Sequence, residues 1–569
     1  PMHSFDGRFT LVYNGEIYNF KEIKFDLSRV LFGSDSTPYP FKTSSDSEVL
    51  LAAFMKYGKD CLQMFNGMFS FAIWDNHKKE LFITRDRLGV KPLYYSFNNG
   101  KFIFSSEIRA IIQSGQIDKN ISRDSLIDYL SYQTVHAPDT ILDSVKVLMP
   151  GHYLLFDGKD VCINRWWNAI DFIGKSIDED INDVRKNIRH LFLSSVEQRM
   201  VSDVPSGAFL SGGIDSTAIV GAMANMSDSK INTFNVSFGE ESFSESYFAK
   251  IVANKFHTSH NEIKLNASAF LNTLPEVLSS MDHPSGDGPN TFIISKAVRE
   301  HGIKMALTGL GGDEMFCGYD LFKSLYSLEN KWWLNLVPRF LRLGVSEAIK
   351  LKNSSIRSRK MADILSKPII NFDYTYPIIR KILNDNLVRG ISKTDVLPMN
   401  KVYKFLRLNS LDIKTKKLSK YSLAELSTYL PNILLRDADQ MSMAVGLELR
   451  VPFLDFRLVQ YVLSLDDRMK FPQTPKKLLC DSLQDLIPAE IWNRPKMGFT
   501  FPWEHWMKNE LKTFCEHNIN LLSKYSFIQE SVLKNLWQRF LKGDNEITWS
   551  RIWHLVVLGN WLHRNGIEQ

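Results

Sequence analysis

The sequence predicts two domains of mixed class: an α+β first half rich in hairpins, and an α/β second half built on a parallel sheet and finishing in helices. Three observations carry this prediction. From Phe9 to about Leu155 the chain runs through short alternating or apolar stretches bounded by turn residues (FTLVYN, MFSFAIWD, ELFITRD, PLYYSF, KFIFSS), which read as strands. Beyond Asp180, helical and strand-like runs alternate, the pattern of a parallel sheet covered by helices. Within that alternation two glycine-rich loops, SGGIDS and TGLGGDE, each follow a strand, the position at which such sheets hold ligands.

In chain order, DSEVLLAAFMKYG has an Asp/Ser start, helical apolar spacing and a glycine stop, so a helix packs on the first sheets. Asn98-Asn99-Gly100 between two strand-like runs predicts a hairpin. The segment from Cys162, CINRWWNAIDFIGKSIDED, breaks the strand pattern and places a domain boundary near residues 165–182, giving domains of 1–165 and 182–569. Then follow a long helix from Asp180, a strand at Gly207 to Leu210, the first glycine loop, a helix, the strand INTFNVSF, the helix ESYFAKIVANKF and the strand HNEIKL. The strand KMALTG leads into the second glycine loop, and from about Leu321 the chain reads as helical, with long patterns around residues 421–464 and 476–488.

At 569 residues and 44% hydrophobic, the chain can bury two or three cores. Its net charge of +6, set against 69 basic and 63 acidic residues, indicates neither a nucleic-acid partner nor a membrane surface. Cys61, Cys162, Cys317, Cys480 and Cys515 are odd in number, scattered and without a C-x-x-C pair, which fits a reducing compartment, the cytoplasm, and no zinc cluster. No apolar run approaches the roughly 18 residues of a membrane span. The opening Pro1, followed almost at once by a strand, reads as the remainder of a longer polypeptide.

The first loop lacks the Walker spacing and its Lys-Ser/Thr pair. Ser211-Gly212-Gly213-Ile214-Asp215-Ser216 instead brings two hydroxyls and several N–H groups around one anion-sized space, which suits pyrophosphate. The second, Thr308-Gly309-Leu310-Gly311-Gly312-Asp313-Glu314, ends in two carboxylates, the donors that Mg²⁺ uses beside phosphate oxygens. Read singly, either loop is also a capped strand-to-helix turn.

LSGGIDS, TFNVSF, TGLGGDEMFCGY, YLPNILLRDADQMSMAVGLELRVPFLD and IPAEIWNRPKMGF, in this order and spacing, resemble the glutamine-dependent asparagine synthetases, whose second domain is an N-type ATP pyrophosphatase. The resemblance implies that Leu210, Ser211, Gly212, Gly213, Asp215 and Ser216 hold ATP, flanked by Val236 and the Thr308-Gly309 backbone, with Asp215 and Asp313 at the metal. It implies aspartate, ammonia or glutamine, and ATP with Mg²⁺ as small-molecule partners, a β-aspartyl-adenylate, and Lys496 beside the reacting carboxyl and phosphate groups. A homodimer is left open.

NGEIYN, TSSDSE, RDRLGVKPLYY, FSSEI and LMPGHYLL resemble the glutaminase half of class II amidotransferases, a four-layer αββα N-terminal-nucleophile sandwich. There Asn14 and Gly15 would donate to the oxyanion, while Glu16 and Asp46 would fix the ends of glutamine. The family nucleophile is an N-terminal cysteine acting with its own amine. None stands at the start of this chain, and Cys61, inside the helical run, reads as a buried structural thiol. The expectation is that residues 1–569 lack the cysteine strand and do not hydrolyse glutamine.

Leu310 departs from the family pattern, because many members carry there an acidic residue linked to forming the acyl-adenylate. Two alternatives follow: an amide-forming relative acting on a peptide or sugar acid, or a non-catalytic binding protein. Two further stretches receive plain readings. Lys331 to Lys360, mixing aromatics and bases, is an ordinary helical insertion with a solvated basic face, and His257 and His260 belong to a strand-entry turn.

Overall fold

In the computed structural model, residues 1–32, 37–173, 179–238, 246–352, 355–408, 416–471, 474–493 and 501–567 are described. Alternation along the first strands is converted into layers. Nine strands form two antiparallel sheets: β1 (Met2–His3), β2 (Phe9–Ile17), β3 (Gly67–Asp75), β4 (Glu80–Arg85), β5 (Tyr94–Asn98), β6 (Lys101–Ser105), β7 (Lys146–Val147), β8 (His152–Phe156) and β9 (Val161–Arg165). The larger has the order β1-β2-β3-β4-β8-β9, the smaller β6-β5-β7. One face of the large sheet (Leu11, Phe69, Phe71, Ile73) packs on helices α1 (Phe20–Leu27) and α2 (Asp46–Tyr57). Its other face, through Ala72, Ile83 and Leu154, meets Tyr95, Phe102 and Phe104 of the small sheet. The far side of the small sheet, with Tyr94, Ile103 and Val147, is covered by α3 (Ile108–Gln113) and α4 (Arg123–Tyr132). The half is therefore the αββα sandwich expected.

Local chemistry fixes its turns. Ser45 caps α2 by accepting from Ser47 N, and Gly58 stops it at φ 55°. Asn99 and Gly100, at φ 52° and 74°, close the β5–β6 hairpin with both central residues left-handed, as the primed two-residue turn requires. Cys61 lies in the short 3₁₀ turn Gly58–Gln63 that follows α2 and is wholly buried. It is therefore not inside the helix, because Gly58 ends that helix first.

Asp180 caps α5 (Ile181–Met200) by accepting from Asn182 N, and the second half begins there. Its sheet comprises β10 (Ser206–Phe209), β11 (Asn232–Phe238), β12 (Ser259–Leu265), β13 (Met305–Leu307) and β14 (Glu448–Arg450), in the order β12-β11-β10-β13-β14 and parallel throughout. Two expectations are corrected here. The pattern over residues 421–464 is not one long helical stretch, since a π-helical segment (Glu425–Leu434), the strand β14 and a 3₁₀ turn (Pro452–Leu454) interrupt it. β14 itself escaped notice because three residues are too few to show a period of two. His257 sits in a turn at φ 51° and His260 Nδ1 lies 3.0 Å from Thr233 Oγ1 in the sheet, as the turn reading expected.

The halves share one core. Tyr18, Met68, Leu88 and Val90 of the first pack in a cluster with Val184, Ile188 and Leu454 of the second. Buried ions join them as well: Lys91 Nζ, 2% exposed, lies 2.7 Å from Asp439 Oδ1, and the Asp282 carboxylate accepts from Ile108 N and Arg109 N at 2.7 Å each.

Candidate active site

Strand order places the site. Chain leaving β10 and chain leaving β13, neighbours in the sheet, enter the two glycine loops, and the sheet order reverses between them. Between the loops lies a cavity of about 510 Å³, lined by Leu210, Ser211, Gly213, Asp215 and Ser216 from the first loop and by Thr308, Gly309, Leu310, Asp313 and Glu314 from the second, with Val236 from β11. This is the size range of a site for a nucleotide-sized molecule.

On the first loop, Gly213 is the N-cap of α6 (Ile214–Met226), so the open N–H groups of its first turn end at the cavity. Ser211 Oγ accepts from Gly213 N at 3.3 Å and lies 3.2 Å from Ser216 Oγ, which orients both hydroxyls. Gly212 does not line the cavity. It turns the loop at φ 69°, and a Cβ there would come within 2.6 Å of Ala249 N. Gly212→Ala is expected to cost at least about 1–2 kcal/mol through the left-handed backbone alone, read as a lower unfolding midpoint in urea.

The second loop closes against the first because it lacks side chains at two points. A Cβ on Gly309 would stand 2.8 Å from Asp215 Cβ, and one on Gly312 would stand 2.5 Å from Asp215 Cγ. Asp215 and Asp313, the residues expected at the metal, converge on one cation: Lys476 Nζ, which donates to Asp215 Oδ2 and sits 2.7 Å from Asp313 Oδ1. Burial of this ammonium works to lower its pKa, but Asp215 and then Asp313 outweigh that effect and raise it. Lys476 is the functional candidate that sequence reasoning missed. The Lys476-Lys477 pair reads as a solvated basic start to a helix, and only the left-handed Lys476 backbone (φ 58°) turns the first lysine inward.

Glu314, 1% exposed, accepts from Tyr319 Oη at 2.5 Å, and burial, reinforced by Asp313, raises its pKa to about 7. A carboxyl whose folded pKa is raised lends stability that is full below its unfolded value and is lost as pH climbs through about 7. Glu314→Gln should therefore gain on the wild type between pH 5 and 8, by on the order of 3 kcal/mol, in melts across that range. Lys496 lies outside the described residues.

In the first half, Asn14 and Gly15 pair with Ser70 and Phe69 across the β2–β3 ladder. Asn14 Nδ2 donates to Ser106 Oγ at 3.1 Å. Gly15 has φ 148°, and a Cβ on it would stand 2.7 Å from Phe69 Cα, so only glycine fits. Asp46 Oδ2 accepts from Tyr13 Oη at 2.7 Å and from Ile17 N at 3.0 Å, which ties the start of α2 to the end of β2. Glu16 reaches across to the second half, its Oε2 3.3 Å from Arg450 Nη2 on β14. Burial raises the Glu16 pKa to about 7, Arg450 opposes this and Asp46 adds to it. The structure thus brings Asn14, Gly15, Glu16 and Asp46 to one end of β2, apart from the cavity between the glycine loops. Burial, with Asp60 adding to it, pushes the Cys61 thiol up, so this cysteine is not an activated nucleophile.

Among the described residues no helix is long and apolar enough to cross a membrane, and no cluster of three or more His, Cys, Asp or Glu could hold a metal ion by itself.

Comparison with known proteins matches the same two halves. A family model described as asparagine synthase matches residues 187–563, and one described as glutamine amidotransferase domain matches residues 1–167. The chain is 30% identical to asparagine synthetase [glutamine-hydrolyzing] 1 of Bacillus subtilis (strain 168), over 100% of this chain and 87% of that protein. It is 30% identical to a putative asparagine synthetase [glutamine-hydrolyzing] of Mycobacterium tuberculosis (strain ATCC 25618 / H37Rv), over 97% of this chain and 84% of that one. It is also 25% identical to amidase chyE of Penicillium rubens, over 89% of this chain and 79% of that one. With most of its length matched by that family model and its whole length aligned to a 30%-identical relative, the chain belongs to the asparagine synthase family of enzymes.

Proposed function

We propose that the chain makes asparagine from aspartate at the expense of ATP. The observation that carries this is the convergence of both glycine loops, Asp215, Asp313 and Lys476 on one cavity. The ATP phosphates sit at the start of α6 between Ser211, Gly213 and Ser216, and the Val236 side of the cavity takes the base. Asp215 and Asp313 would hold Mg²⁺ together with phosphate oxygens. Two oxygen donors from different loops already meet at one cation, and an all-oxygen set suits a hard ion, which would neutralise phosphate charge.

An oxygen of the aspartate side-chain carboxylate attacks the α-phosphorus, the bond to the bridging oxygen of the β-phosphate breaks, and pyrophosphate leaves. Ammonia then adds to the activated carbonyl carbon, loses a proton, and the acyl carbon–oxygen bond breaks to release AMP. The chain supplies fixed positive charge for these steps at Lys476 and, by the family resemblance, at Lys496. We assign residues 1–165 as the glutaminase domain and 182–569 as the synthetase domain. Asn14 and Gly15 are assigned to the oxyanion, and Glu16 and Asp46 to the ends of glutamine.

Pyrophosphate release with ATP, Mg²⁺, aspartate and ammonium chloride tests the proposal. Release should require aspartate and fall at least about a hundredfold in Asp313→Ala. Release that ignores aspartate, or that survives in Asp313→Ala, would refute it. Leu310 favours a second reading, since this apolar side chain on the cavity wall can neither hold a cation nor accept a proton. Under that reading the acceptor is a peptide or sugar acid, and a panel of carboxylic acids in ATP–pyrophosphate exchange would single it out.

A further inference from the structure

The Arg339–Lys352 helix is turned inside out. Its buried positions are Arg342 and Ser346. The Arg342 guanidinium donates to the carbonyls of Val337, Leu365, Lys367 and Pro368 at 2.9–3.2 Å, and Ser346 Oγ donates to Ala362 O at 2.8 Å. Asn335 adds a reciprocal pair, Nδ2 to Ile370 O at 2.9 Å and Oδ1 from Ile370 N at 2.8 Å. These polar groups, with Leu334 and Ile349 packed on the cluster of Leu328, Ile364 and Leu365, anchor this insertion, which fixes the side that faces outward. The outward side is apolar: Phe340 is 70% exposed, Leu341 51%, Val345 52% and Leu351 89%, and successive turns stack these positions on one face. In the preceding turn, Trp332 is 67% exposed and Leu336 71%. The solvated basic face expected of this stretch is corrected accordingly, because its bases rim an apolar surface.

The charge is concentrated here. Residues 331–360 carry eight Lys or Arg against one Glu, of which Arg342 is buried, Arg359 pairs with Glu546, Lys350 with Glu347, and Lys360 donates to Ile379 O. Lys331, Arg339, Lys352 and Arg357 are exposed. A basic rim around exposed Trp, Phe and Leu is the composition of a helix that lies in the plane of a bilayer, its apolar side among the acyl chains and its bases at anionic headgroups. A site for a second copy would oppose this chain's own basic rim to itself, which disfavours that occupant. We propose that the Trp332–Lys352 face docks the protein on an anionic lipid surface, with no segment crossing it.

Flotation of the full chain with vesicles tests this, using phosphatidylcholine alone and phosphatidylcholine with about 30 mol% phosphatidylglycerol. The expected result is recovery with the anionic vesicles, at least about tenfold less with the neutral ones, and a decline as salt is raised. Phe340→Glu with Leu351→Glu should reduce recovery at least about tenfold, and Lys331→Glu or Lys352→Glu about fivefold or more each. Unchanged melting curves would show that these exposed substitutions leave the fold intact. Failure of the wild type to float would overturn the proposal, as would equal flotation of the Phe340→Glu/Leu351→Glu variant. A dimer in sedimentation velocity that this variant dissociates, without vesicle binding by the wild type, would overturn it in favour of a contact between copies.

Discussion

Lys476→Met is expected to slow aspartate-dependent pyrophosphate release by about 10²–10³, with the fold retained. The Lys476 ammonium is enclosed between Asp215 and Asp313 and pairs with both carboxylates where they meet the cavity. Removing it leaves two like charges facing each other, so one carboxylate must take up a proton or draw in a cation. Under the proposed function, either response would alter the charge presented to the phosphates, and the missing ammonium would no longer stabilise the departing pyrophosphate. Single-turnover release of pyrophosphate reads the effect separately from ATP affinity. Lys476→Arg keeps the charge but brings a wider head into a confined place: even a methyl on Gly318 would strike Lys476 Cε and Asp313 Oδ1. Its rate should fall between those of Met and the wild type.

Lys91→Met should cost about 3–5 kcal/mol, the largest stability loss expected of a single substitution here. Lys91 is buried in the first half and its partner Asp439 belongs to the Leu435–Met443 helix of the second. Replacing the lysine strands a carboxylate that is 11% exposed in the joint between the halves. Lys91→Met with Asp439→Leu removes both charges and should recover most of the loss. Thermal melts of the two singles and the double close the cycle. Additive losses would show that the pair does not couple the halves.

What the sequence reveals of this molecule follows from the length of each signal. The αββα half was legible because its strands are apolar or alternating runs of five to nine residues and Asn99-Gly100 has one ready turn geometry. The glycine loops were legible because a strand, a glycine and a helix start stand next to one another, and the cavity does lie between them. β14 and Lys476 were not. Each depends on contacts made far along the chain: β14 pairs with β13 across more than a hundred residues, and Lys476 meets Asp215 only after folding. Gly212 has a structural task that the sequence did not show. Its missing Cβ makes room for the Phe248–Ala249 backbone, a contact that forms only once the chain has folded. The apolar outer side of Arg339–Lys352 was hidden because helical periodicity shows that a helix has two faces without showing which one the body takes; Arg342, bonding four carbonyls, decides it.

Adenylation of a carboxylate in the cavity between the two glycine loops would pass one carboxylate oxygen to AMP, and isotope transfer reads that passage. Aspartate carrying ¹⁸O in its side-chain carboxylate would be turned over with ATP, Mg²⁺ and ammonium chloride, and the products read by mass spectrometry. Attack at the α-phosphorus predicts one ¹⁸O in AMP, none in pyrophosphate, and label loss that tracks asparagine formed. ADP together with ¹⁸O in inorganic phosphate would place the attack at the γ-phosphorus and rule out adenylation.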